Sequence, residues 1–185
     1  MRLLQLSLFT LVLSFVSLPA SALSGIPKAF TAGNNQLVLN GAGKRTKFII
    51  TVYNAGLYLK TKSNNAQQIM AANEPMAIRM KIVSGLASAE KMKNAMVEGF
   101  ANSTGGNTAP IQAQIDEFLK VGLSSEVSKG DTFDMVYTPG AGIQFLKNGK
   151  QLALLKGLPF KEALFGIWLS NKPAQASLKN QMLGK

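Results

Sequence analysis

The chain has 185 residues with no cysteine and no histidine, and its 20 lysines and arginines against 9 aspartates and glutamates give a net charge of +11. Without cysteine there are no disulfides, no thiol chemistry and no lipid on an N-terminal cysteine; without histidine there is no serine–histidine triad, no histidine base and no ordinary zinc or haem site. The acids are scattered, and the close sets, Asp116-Glu117 and Asp131 with Asp134, lack a calcium-loop spacing, so neither a metal nor a redox cofactor is expected.

Arg2 is followed by an apolar run from Leu3 to Val16, Pro19 breaks it, and Ala20-Ser21-Ala22 supplies the small residues that a signal peptidase reads. The sequence therefore predicts an export signal over residues 1–22, a cut after Ala22, a periplasmic location and one domain over 23–185. The run is shorter than the ~20 residues needed to span a bilayer, which argues against an uncleaved anchor. Loss of Arg2 leaves an excess of +10. That charge suits solubility and anionic partners, either an anionic membrane surface or an acidic small molecule. Nucleic acid is not expected, because an exported protein rarely meets it and the lysines are spread instead of clustering with aromatics.

Leu37 to Asn40 reads as a strand, Gly41-Ala42-Gly43 as a turn in which the glycines permit positive φ, and Phe48 to Leu59 as a long strand, together a hairpin. Ala66 to Ala72 has short helical character, and Ala77 to Val83 alternates Ile78, Met80 and Ile82 against Arg79, Lys81 and Val83, as a half-buried strand does. Ser88 is an N-cap for a helix with Met92, Met96 and Phe100 on one stripe, which Gly105-Gly106 ends. Thr108 and Pro110 open a second helix that buries Ile111, Ile115, Phe118 and Leu119. Phe133–Thr138, Ile143–Leu146 and Leu152–Leu155 form an antiparallel meander with Pro139-Gly140 and Asn148-Gly149 at its turns, Asn-Gly being the strongest two-residue hairpin signal. Two helices follow, Lys161–Leu169 and Ala174–Leu183, separated by Pro173. The predicted architecture is α+β, with helices layered on one face of a large antiparallel sheet as an open-faced sandwich.

The run Asn40-Gly-Ala-Gly-Lys-Arg45 followed by Tyr53-Asn-Ala-Gly-Leu-Tyr-Leu59 resembles the paired signature of the chalcone isomerase superfamily, a Gly-x-Gly-x-Arg turn and a strand ending in Gly-[LV]-Tyr-Leu. Ser84-Gly85 ahead of a helix, the Asn-Gly meander, Ala163-Leu-Phe-Gly-Ile-Trp-Leu169, Pro173 and Leu183-Gly184 are similar to the bacterial branch, so the resemblance runs through nearly all of the chain after the signal. It implies a chalcone isomerase-like fold with a cleft between sheet and helices. Arg45 matches the arginine that holds an anionic group in that cleft, an enolate-like oxygen in the isomerases and a carboxylate in the fatty-acid-binding relatives. Its permanently charged fork suits a carboxylate. An arginine beside Lys44 and Lys47 also reads as a solvated hairpin residue.

Tyr53 falls where the isomerases carry a threonine and the fatty-acid-binding relatives a tyrosine, so it is a candidate second donor, or else an ordinary cross-strand tyrosine. Tyr58, on the opposite strand face, reads as structural. Arg79 aligns with a basic residue that lines the cleft, and also reads as a solvent-facing strand arginine. The isomerases' cleft tyrosine, asparagine and threonine are replaced by Ser88, Ala95 and Ile167, so most of the polar network for an enolate is missing. Met92 and Met96 fit either a core or a ligand tunnel. The expectation is a non-enzymatic binder or carrier of a carboxylate-bearing amphiphile such as a fatty acid, held by Arg45, Tyr53 and Arg79. The alternatives are an intramolecular lyase of the chalcone isomerase type and an envelope interaction protein without ligand. The sequence leaves the oligomeric state open.

Overall fold

The structure, a computed structural model, describes residues 23–122 and 124–185; the export signal assigned to 1–22 lies outside the described residues. Strands β1 (Ala29–Ala32), β2 (Asn35–Lys47), β3 (Ile50–Leu59), β4 (Met76–Ile82), β5 (Thr132–Thr138), β6 (Gly142–Lys147) and β7 (Lys150–Leu155) form one seven-stranded sheet in chain order. Each neighbouring pair is antiparallel. The helices are α1 (Ala66–Ala71), α2 (Ala89–Ser103), α3 (Gln112–Gly122, entered through a 3-10 turn over Ala109–Ile111), α4 (Leu158–Leu169) and α5 (Ala176–Met182). This is the α+β, helix-on-sheet arrangement that the sequence predicts.

Local chemistry accounts for the boundaries. Ser88 caps α2 by accepting from the Lys91 amide at 3.3 Å, and Asn65 does the same for α1 from the Gln68 amide at 3.1 Å. In the β6–β7 turn Asn148 and Gly149 have φ of 51° and 81°, the positive values that a two-residue hairpin loop requires. On the helix side, Leu57, Ile78, Met80, Phe133, Phe145 and Leu155 from the sheet meet Phe100, Phe118, Phe160, Leu164 and Trp168 from the helices in the main core. Helix α4 is apolar on nearly every side because α1 and α2 cover what the sheet does not.

Two expectations change. The hairpin does not turn at Gly41-Ala42-Gly43: β2 runs straight through them and the chain reverses at Phe48-Ile49, between the paired residues Lys47 and Ile50. Neither Gly41 nor Gly43 has positive φ. Their role is close approach, because a Cβ on Gly41 would lie 2.2 Å from the Gln181 carbonyl oxygen and one on Gly43 would lie 2.0 Å from Gln181 Oε1. Asn40 fastens the same contact, its Nδ2 donating to Met182 O and Ser63 O, both at 2.9 Å. The sheet's other face carries an addition to the predicted arrangement. There the segment from Leu23 through β1 covers Leu37, Tyr58, Ala77 and Val136, making a second, smaller core.

Candidate functional site

Arg45 and Tyr53 are paired across the β2–β3 ladder, so their side chains leave the sheet together on the helix side. A bulge follows between Arg45 and Thr46. Gln175, at the N-terminus of α5, clamps it: its Oε1 accepts from the Thr46 amide at 2.9 Å and from Arg45 Nη1 at 3.1 Å. Arg45 Nη1 also donates to the Thr46 carbonyl at 2.6 Å. The guanidinium is thereby half-buried and oriented, while its Nε–Nη2 edge, the side that grips a carboxylate with two parallel bonds, has no acceptor among the described residues.

Tyr53 is 7% exposed. Its oxygen accepts from the Trp168 indole at 3.0 Å, and its own proton has no acceptor among the described residues. Burial raises its pKa; the bond from Trp168 and the charge of Arg45 oppose this without reversing it. The phenol therefore stays a donor throughout the physiological range.

Arg79 is not with them. On β4 it points to the opposite face from Ile78 and Met80, where Nε and Nη2 grip Asp134 Oδ1 and Oδ2 at 2.7 and 2.9 Å and the guanidinium lies 5.0 Å from the Phe30 ring centre. Its fork is filled and β1 covers it, so it supports the sheet's second core and does not line the helix side. Tyr58 shares that face, donating to Pro27 O at 3.0 Å, as its strand parity predicts.

The interior beside Arg45 and Tyr53 is closed. From Tyr53 the helix-side surface of the sheet continues over Ile82, Ala55 and Met80. Met80, Met92, Met96 and Met135, with three phenylalanines, surround a void of about 10 Å³, enough for at most a single water. A larger hollow of about 560 Å³ lies open to solvent elsewhere, where α2 and α4 end; neither Arg45 nor Tyr53 lines it. Ser88 is occupied as a helix cap, Ala95 faces solvent and Ile167 is buried against Gly99. None of these three positions presents a donor to the Arg45–Tyr53 corner.

Trp168 and Gln175 complete the corner, and sequence reasoning did not single them out. The signal for Trp168 was available: it is the only tryptophan, and a buried indole needs an acceptor. Nothing local distinguishes Gln175, whose partners lie about 130 residues away along the chain.

A family model described as chalcone isomerase-like matches residues 21–184, nearly the whole chain. The chain belongs to the chalcone isomerase-like family. No curated protein matches the sequence. Among solved structures, the Arabidopsis thaliana fatty-acid binding protein AtFAP1 is similar in fold, with a TM-score of 0.68 over 85% of this chain and 90% of that one at 17% identity. In this chalcone isomerase-like chain the signature arginine and tyrosine therefore form one corner of the fold, and the basic residue of β4 lies outside it.

Proposed function

We propose that the protein is a non-enzymatic binder of a carboxylate-bearing amphiphile of the fatty-acid class. The observation that carries this is the paired availability of the Arg45 Nε–Nη2 edge and the Tyr53 proton on one face of the sheet. A planar, charged fork and a neutral phenolic donor are complementary to one carboxylate. Similarity in fold to a fatty-acid binding protein supports the reading, and that Ser88, Ala95 and Ile167 present no donor to this corner favours binding over turnover. The tail would enter among the four methionines. Their unbranched side chains re-pack more readily than those of branched residues, so the closed interior is the ligand-free arrangement. The proposal includes export to the periplasm through cleavage after Ala22, where an anionic membrane surface is the source of the ligand. An intact mass beginning at Leu23 tests the cleavage.

Native mass spectrometry of gently purified protein and calorimetry with oleate test the function. Adducts of fatty-acid mass and an affinity that falls at least about tenfold in Arg45→Ala, the equivalent of one charged hydrogen bond, are expected. The void of about 10 Å³ favours a second reading, an envelope interaction protein without a ligand. Wild-type protein that carries no adduct and binds no oleate selects that reading, and a pull-down from periplasmic extract then follows.

A further inference from the structure

The turn joining β2 and β3 is built against the rules of turn chemistry. It is a two-residue loop with Phe48 at φ 55°, a left-handed conformation that bulky side chains avoid and that glycine or asparagine ordinarily fills. The chain's other two-residue hairpin loops follow the rule: Gly33-Asn34 between Ala32 and Asn35, with Gly33 at φ 58°, and Asn148-Gly149 between Lys147 and Lys150. At the β2–β3 tip it places Phe48 and Ile49, 92% and 97% exposed, beside the partly exposed Ile50. Neither folding nor packing asks for these residues.

The tip also projects. The register of β3 with β4 ends at Tyr53 and Ile82, with one further bond from the Val83 amide to the Val52 carbonyl at 3.0 Å, so the end of the β2–β3 ribbon beyond Val52 extends past the neighbouring strand. Lys44 and Lys47 flank the tip and are exposed, with Arg45 between them. Residues 1–73 contain none of the acids in the chain, so β1, β2 and β3 carry only positive charge.

We infer that the Phe48-Ile49 tip is a membrane-docking element that inserts into the interface of an anionic lipid bilayer while Lys44 and Lys47 contact its headgroups. Aromatic and aliphatic side chains at the end of the ribbon, with two exposed lysines on its β2 side, match the two components of peripheral membrane attachment, apolar insertion and attraction to anionic lipid. A second copy of the chain is a poorer occupant, since tip-to-tip contact would oppose the basic residues of both copies. Arg45 lies three positions from Phe48, so docking would hold the carboxylate-binding corner at the lipid surface. That consequence rests on the proposed function; docking itself does not.

The test is flotation with vesicles of phosphatidylglycerol and phosphatidylcholine, compared with phosphatidylcholine alone, in the absence of fatty acid. Wild-type protein should bind the mixed vesicles, bind neutral ones far more weakly, and detach as salt screens the lysines. Phe48→Asn with Ile49→Gly installs the turn sequence that the β6–β7 hairpin uses, so the fold should be kept or strengthened while vesicle affinity drops at least about tenfold. Lys44→Gln with Lys47→Gln should lower affinity roughly tenfold on anionic vesicles only. Equal binding by wild type and the Asn-Gly variant, or no wild-type binding to anionic vesicles at low salt, overturns the inference. So does a tip-dependent dimer in sedimentation without vesicle binding. Oleate calorimetry without vesicles separates the two proposals, because the Asn-Gly variant should bind oleate as wild type does.

Discussion

Trp168 donates its indole N–H to the oxygen of Tyr53 at 3.0 Å, joining the most buried helix to the strand that carries the signature tyrosine. The bond occupies the phenol as an acceptor and leaves it a donor, which fits a residue whose other partner is a ligand.

Removing either end has separable effects. Tyr53→Phe leaves the buried indole without an acceptor and should cost about 1–3 kcal/mol of stability, with oleate affinity falling by about tenfold, the worth of one hydrogen bond. Trp168→Phe should be destabilising too, but it retains the Tyr53 donor and so reduces oleate affinity less. Urea unfolding and calorimetry on the two variants check the split, and equal losses of affinity would argue that Tyr53 only packs.

The two arginines should behave oppositely. Arg79→Ala leaves Asp134, 4% exposed, without its cation, and should destabilise by about 3 kcal/mol. Arg45→Ala removes a half-buried side chain with two charge-assisted hydrogen bonds to neutral oxygens but leaves no buried charge unpaired, so it should cost less, about 1–2 kcal/mol. Its effect belongs in ligand affinity, where Arg79→Ala should be silent if the protein is kept below its unfolding midpoint. Denaturant midpoints set beside oleate titrations read both.

Gly41→Ala tests the close approach of α5. The added methyl meets the carbonyls of Gln181 and Met182, which are held by Asn40 and by the end of the helix, so the helix must lift. A loss of about 1–3 kcal/mol is expected, together with faster amide exchange in α5. Gly85→Ala, where a Cβ meets nothing within 4 Å, is the control and should be near neutral.

Lys161 gives the protein a stability profile in alkali. Its side chain is buried, with Nζ donating to the carbonyls of Ile69, Met70 and Ala72 at the end of α1. Burial pushes its pKa down to about 8 from 10.5, slightly opposed by Glu162. Between those values the unfolded chain binds more protons than the folded one, so stability rises with pH from about 8. Full relief would be on the order of 3 kcal/mol. The buried tyrosines act in the other direction: burial raises Tyr53, Tyr58 and Tyr137 above 10.0, so stability declines once pH passes that value, where the unfolded phenols ionise first. Urea midpoints from pH 7 to 11 should therefore peak between about 9 and 10. Lys161→Met should remove the rising limb and leave the decline.

The sequence by itself determined the elements and their class. Ser88 before the Met92–Met96–Phe100 stripe, the alternation of Ile78, Met80 and Ile82, and Asn148-Gly149 are local signals whose physics acts within a few residues, and each stands in the structure as predicted. The paired signature from Asn40 to Leu59 also placed the chain in its family. Tertiary structure decided what each buried side faces. Parity put Arg79 opposite Met80 but could not say that β1 would cover that side and Asp134 fill its fork, because both lie far away along the chain. Two glycines two apart read equally as a turn or as a seat for a helix, and only the arrival of Gln181 distinguishes them. The pairing of Tyr53 with Trp168, the clamp from Gln175 and the methionine-filled interior are likewise set by long-range packing, to which sequence periodicity is blind: it reports that a face is buried, not what buries it.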